Sequence, residues 1–267
     1  MQTTPFWTDD YPRPTDLPTS ALPDQVDVAI VGSGYTGLQA AIALRKAGAS
    51  VAVIEAQTIG WGASSRNGGM ATSGLKAEMP TLVKRYGREK GRAFWQWAQD
   101  AIDLIERTCT DEAIDCNFVR SGCVLLAAKP GHFARMRAAE AWQRRELGFA
   151  EGYLVPPYAL STEVGSRAYH GGHAETATAS LHPARYVFGL AQAAARRGAA
   201  LVEDAPVTNL LREQRRWRVV TRRGSLTAKE VLLATNGYTG DLVPAARQGI
   251  FPGGSYVITT EPLAEAL

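Results

Sequence analysis

The stretch IVGSGYTGLQAAIALRKAGASVAVIEA, from Ile30 to Ala56, decides the fold of this chain. The β-branched run VDVAIV (Val26 to Val31) leads into it and suits a buried parallel strand; the Ala- and Leu-rich segment Thr36 to Gly48 reads as a helix closed by its glycine; SVAVIE (Ser50 to Glu55) is a second buried strand. Strand, helix and strand in that order make a βαβ unit, which implies a parallel sheet covered by helices. At the junction of the first strand and the helix, Gly32, Gly34 and Gly37 give G-x-G-x-x-G, and Glu55 follows Gly37 by 18 residues. Gly32 permits the tight turn, Gly34 lets backbone approach a diphosphate, and Gly37 allows close packing of helix on strand. The helix N-terminus offers unpaired N–H groups and a positive dipole end to the diphosphate, while Glu55 accepts from ribose hydroxyls and repels a 2′-phosphate. The pattern therefore predicts a dinucleotide site and leaves NAD and FAD open.

Outward from that stretch, residues 1–25 carry five prolines and read as an extended arm. The arm lacks the basic start and apolar run of a signal peptide, and the expected location is cytoplasmic. Apolar positions from Glu78 to Cys109 recur at helical spacing and predict one or two long helices. A strand is expected at GCVLLAA (Gly122 to Ala128), an amphipathic helix with a basic face over His132 to Gly148, and loop with short strands over Tyr153 to Ser180. A helix follows, started by Pro183 and ended at Gly198. After it come the short strands AALVED, VTNLLRE, RWRVVT, LTAKE and VLLATNG, with a hairpin turn at RRGS.

The balance of 29 basic and 26 acidic residues, net +3, is too even to argue for nucleic acid, so small-molecule partners are expected. Cys109, Cys116 and Cys123 form no CxxC pair and suit a reducing compartment; no metal site is expected. His170, His173 and His182 read as structural, and the arginines around RRGS as a solvated turn. Behind Glu55 and Ala56, the loop GWGASSRNGGM (Gly60 to Met70) brings hydroxyls and backbone N–H groups along the same ligand, which favours a flavin over a nicotinamide.

Three blocks, Asp27 to Gly69, Leu181 to Val207 and Val231 to Leu263, resemble the FAD-dependent D-amino-acid oxidase superfamily, and most of all its branch of bacterial amine and amino-acid oxidases that includes gamma-glutamylputrescine oxidase. The resemblance implies an α/β fold: a Rossmann-type FAD-binding domain with a discontinuous, incomplete α+β substrate domain. Its segments would be the arm 1–25, FAD-binding segments 26–114 and 181–245, and substrate segments 115–180 and 246–267. It further implies FAD held by Gly32, Gly34, Gly37, Glu55, Ala56 and Ser64. Arg66, Asn67, Gly68 and Gly69 would lie at the flavin ring, Val207 beside adenine, and Thr235, Asn236 and Gly237 near the dinucleotide. Tyr256, on a strand opening the substrate domain, would face the substrate. The implied reaction oxidises a C–N bond by hydride transfer to flavin N5, with hydrolysis of the imine and dioxygen or a quinone as acceptor. Family members carry a later part that covers the flavin, and here a second chain or a longer form is expected to supply it. Two other readings are an FAD-binding module without catalysis of its own and an NAD-dependent dehydrogenase; the latter leaves SSRNGG and ATNGYTG unexplained.

Overall fold

A computed structural model describes residues 4–149 and 152–260. Residues 1–3 of the expected arm, 150–151 of segment 115–180 and 261–267 of the last segment lie outside the described residues. The first elements are α1 (Phe6–Asp10), β1 (Gln25–Val31), α2 (Tyr35–Lys46), β2 (Val51–Ile54) and β3 (Met70–Ala71). Next come α3 (Met79–Asp111), β4 (Cys123–Leu126), α4 (Pro130–Leu147), β5 (Tyr153–Val155), β6 (Gly172–Glu175) and β7 (Ala179–Ser180). The last are α5 (Pro183–Arg196), β8 (Ala200–Val202), β9 (Val207–Glu213), β10 (Arg216–Thr221), β11 (Gly224–Leu233) and α6 (Pro244–Gly249).

Packing divides the described chain into two compact units, one of residues 4–68, 112–116 and 182–260, the other of 69–111, 117–149 and 152–181. Residues 69–111, which the sequence reading keeps with the first FAD-binding segment, pack with 117–149 and 152–181.

The first unit is built on a six-stranded sheet of order β8-β2-β1-β11-β10-β9. β8, β2, β1 and β11 are parallel, and β10 and β9 continue antiparallel. The fold is mixed α/β. The β-branched runs are strands because all four residues of β2 and the last three of β1 are buried, as in a sheet covered on both faces. Val26, Ile54, Val202, Val219 and Leu226 form a buried apolar cluster across five of the strands. α2 and α5 pack together, with the Tyr35 and Tyr186 ring centroids 5.1 Å apart. Gly48 and Gly198 end these helices at φ +85° and +83°, as their positions predict. At the end of α5, Glu112 is buried and receives Arg197 Nη2 at 2.7 Å and Lys46 Nζ at 2.9 Å.

The arm is not wholly extended, since α1 gives it one short helical turn. Farther along, Ser20 N donates to Leu201 O at 2.7 Å, and Leu201 N donates to Ser20 Oγ at 3.3 Å, so the arm lies on the outer side of β8. LTAKE and VLLATNG, expected as separate strands, give one strand, β11, which ends at Leu233 and leaves residues 234–237 outside it. Lys229 and Glu230 interrupt the apolar pattern, yet the Lys229 side chain only leans outward to Asp27 Oδ1 at 2.6 Å. The strand expected at Gly254 is not formed over 254–260: no strand among the described residues pairs with it, and unpaired backbone gains nothing from extension.

In the second unit α3 is broken at Gly87 (φ 85°, ψ 165°), so the long helical pattern is two helices joined at a kink. β4, β6 and β5 form an antiparallel sheet, and β3 pairs with β7.

Candidate dinucleotide site

The site grows from the carboxyl ends of β1, β2 and β11, where chain leaves a parallel sheet and backbone groups point into open space. After Val31, Gly32 turns the chain at φ +105°, and its N–H donates to Ile54 O at 2.9 Å. A Cβ on Gly32 would stand 2.7 Å from Ala234 O, and one on Gly37 only 2.0 Å from Gly32 O. Both glycines are thus required by contact of backbone with backbone. At Gly34 the nearest atom to an added Cβ is the Ser64 Oγ, at 2.9 Å.

That hydroxyl belongs to the 3-10 turn Ala63–Ser65 and accepts from Tyr35 N, the first amide of α2, at 3.0 Å. Ser64 therefore caps a helix whose own N-cap, Gly34, has no side chain to do so. On the other side of the turn, Glu55 Oε2 accepts from Ser33 N at 3.0 Å and from Ser33 Oγ at 2.6 Å, while Oε1 accepts from Gln57 N at 3.0 Å. Ser33 Oγ also accepts from Gly60 N at 3.1 Å. The carboxylate thus fixes the glycine loop and sets one negative charge beside it. Tyr35 donates to Pro183 O at 3.3 Å and accepts from Asn67 Nδ2 at 3.4 Å. Burial pushes its phenol up to about 12, so it stays neutral at physiological pH.

Together these groups line a cleft of about 650 Å³, within the range of small-molecule and cofactor sites. Of the residues singled out from sequence, Gly32, Gly34, Glu55, Ala56, Ser64, Asn67, Val207, Thr235 and Asn236 line it. Gly37 is buried beneath the glycine loop, and Gly68 and Gly237 do not line the cleft. The Arg66 guanidinium lies 4.6 Å above the Trp61 ring, with Nε donating to Trp61 O at 2.7 Å. Gly69 belongs to the second unit, and Tyr256 is 91% exposed on a segment without regular structure.

Sequence reasoning missed Tyr35, Trp61, Pro206, Tyr238 and Thr239, which also line the cleft. Trp61 and Tyr238 meet edge to face at 5.9 Å, and Thr239 Oγ1 stands 2.7 Å from Thr235 Oγ1. Tyr35 and Trp61 fill the variable positions of the glycine-rich stretches, where a spacing rule treats any residue alike; an aromatic there was the available signal.

The donor set suits FAD. The first-turn amides of α2 have no intrahelical acceptors, and Thr36, next after the capped Tyr35, lines the cleft where a diphosphate would lie. Glu55 adds a carboxylate able to accept hydroxyl hydrogen bonds, and Pro206 and Val207 give an apolar wall. Among the described residues no cluster of three or more His, Cys, Asp or Glu could hold a metal ion, and no helix is long and apolar enough to cross a membrane.

Comparison with known proteins agrees with this geometry. The model of the DAO family, described as FAD dependent oxidoreductase, matches residues 27–267. Gamma-glutamylputrescine oxidoreductase of Escherichia coli is 34% identical over 243 residues, covering 90% of this chain and 56% of its own length. A probable oxidoreductase, OrdL, of Haemophilus influenzae is 30% identical over 248 residues, covering 91% of this chain and 57% of its own. The chain thus spans little more than half the length of these relatives. Among solved structures, glycine oxidase of Geobacillus kaustophilus superposes with TM-score 0.67 at 23% identity, over 86% of this chain and 60% of that one. L-amino acid deaminase of Proteus vulgaris superposes with TM-score 0.71 at 20% identity, over 86% and 58%.

Proposed function

This chain belongs to the FAD dependent oxidoreductase family, and we propose that it binds FAD in the cleft beside Glu55 and forms the cofactor-binding part of an enzyme oxidising the C–N bond of an amine or amino acid. One observation carries the proposal: the capped N-terminus of α2, the glycine loop and an acidic strand end converge on one cleft. The names of the relatives, gamma-glutamylputrescine oxidoreductase among them, support an amine or amino-acid substrate class.

In this reading the first turn of α2 and the Ser64 hydroxyl hold the diphosphate, and Glu55 accepts from the ribose. Pro206 and Val207 cover the adenine. Thr235 lies along the dinucleotide, and the turn carrying Ser64 and Asn67 borders its path to the ring. When bound, FAD supplies the two-electron acceptor for C–N oxidation, with dioxygen or a quinone as the final acceptor and the imine product hydrolysed by water. The chain's own contribution is to bind, orient and keep the Tyr35 phenol neutral beside the cofactor; no acid or base is needed from it.

A second reading, an FAD-binding unit that turns over only with another polypeptide, is favoured by the exposed apolar side chains Phe251, Tyr256 and Ile258. Absorption spectroscopy tests both. Protein mixed with FAD and freed of excess should keep the yellow flavin bands, and anaerobic amine or amino acid should bleach them. A chain that stays colourless refutes the site. Bleaching only after addition of a second polypeptide selects the second reading.

A further inference from the structure

We infer that Trp7, in the N-terminal arm, is a positioning residue for the cofactor loop. The inference rests on the FAD site proposed above. Trp7 Nε1 donates to the backbone oxygen of Asn67 at 2.7 Å, across 60 residues of sequence. The Asn67 side chain closes the same turn from within, its Nδ2 donating to Ala63 O at 3.1 Å and to Ser64 O at 3.2 Å. Ser64 at the front of that turn caps Tyr35 N. A hydrogen bond from the arm therefore ends on the turn that sets the hydroxyl at the head of α2.

The indole is itself held. Its ring lies 4.8 Å from that of His182, which is buried and 6.0 Å from the Tyr11 ring. His182 Nδ1 accepts from Arg185 N, so Nε2 carries the proton and donates to Asp10 Oδ2 at 3.0 Å. His182 N donates to Cys116 O at 2.7 Å. The imidazole is thus held at both ring nitrogens, by α1 and by α5, while its backbone is tied to residue 116, and it presents a fixed face to Trp7. α1 buries none of its own residues. A five-residue helix with no core contribution needs another reason for so ordered a contact, and the turn beside the cleft supplies it. Residues 66 and 68 of that turn are exposed. Without the arm's bond the turn loses an outside tether and the cofactor must order it on binding, at a cost in affinity.

The test uses the full chain and FAD. Trp7→Phe keeps a ring against His182 and removes the N–H. We expect its FAD dissociation constant, read by flavin fluorescence, to rise roughly fivefold to tenfold, the effect of one neutral hydrogen bond. Amides 63–68 should exchange hydrogen faster in the FAD-free variant. Trp7→Tyr gives a second variant should Trp7→Phe not fold. Ser20→Ala, which removes the longer of the arm's two bonds to β8 and keeps the backbone one, should leave FAD affinity within about twofold. Unchanged affinity and exchange in the Trp7 variants, with wild type binding FAD, overturns the clamp and leaves the site standing. An equal loss in Ser20→Ala reduces Trp7 to general support of the arm and also overturns it. Failure of the wild type to bind FAD overturns the site itself.

Discussion

Gly34 and Gly37 are needed for different reasons, and single alanines separate them. Alanine at Gly37 must place its Cβ 2.0 Å from a backbone oxygen, so Gly37→Ala should cost about 3 kcal/mol or more in urea unfolding. At Gly34 the obstacle is a hydroxyl that can turn away. Gly34→Ala should therefore stay folded, with a loss near 1 kcal/mol, yet bind FAD at least about tenfold more weakly. Removing the carboxylate frees the loop that it fixes through Ser33: Glu55→Ala should raise the FAD dissociation constant roughly tenfold to a hundredfold, measured by flavin fluorescence. The positions of these residues were legible because the glycine and acid spacing is a backbone requirement. Arg66 shows the limit: a guanidinium that covers Trp61 instead of opening to the cleft is a rotamer choice within one turn, and no spacing rule reaches it.

Elements are joined by ion pairs at the far ends of the strands. Asp27 of β1 accepts from Lys229 of β11 and from both N and Oγ of Ser50, just before β2, and the bond to Lys229 most strongly holds its carboxyl well below the usual carboxylate range. A carboxyl lowered in the folded state stabilises above its unfolded value, near pH 4, and that stability disappears as pH falls. Asp27→Asn should unfold at lower urea than wild type at pH 7, and the two midpoints should converge toward pH 2. Burial alone would raise the Glu112 carboxyl, but Arg197 and then Lys46 hold it below the ordinary range. Glu112→Ala strands both cations; because each is partly exposed, the loss should be about 2–3 kcal/mol in urea unfolding, short of a fully buried pair. The ends of β9 and β10 are legible in VTNLLRE and RWRVVT, with the turn at RRGS closing the second strand. β11 is not legible in this way: Lys229 and Glu230 break its apolar pattern, and only the pairing with β1, which brings Lys229 to Asp27, shows one strand running through them.

At the scale of the whole chain, the first unit collects three separate segments, and its sheet closes only when β8 and β11 return beside β2 and β1. The local βαβ core was plain in the sequence. The packing of 69–111 with 117–149 and 152–181 was not, since an amphipathic helix states which face it buries but not the partner. Residues 251–260 have no regular structure, with Phe251 at 95% and Tyr256 at 91% exposure. Chymotrypsin should cut there first and leave a trimmed chain that still binds FAD; an earlier cut inside the sheet would contradict this arrangement.

Ser20 has a wider consequence. By taking up the amide and carbonyl of Leu201, it seals a margin along which another molecule's strand would otherwise add itself. Chains shorn of their first two dozen residues should retain the glycine loop yet lose this seal, and self-association into aggregates, rather than loss of the fold, is the defect to watch for.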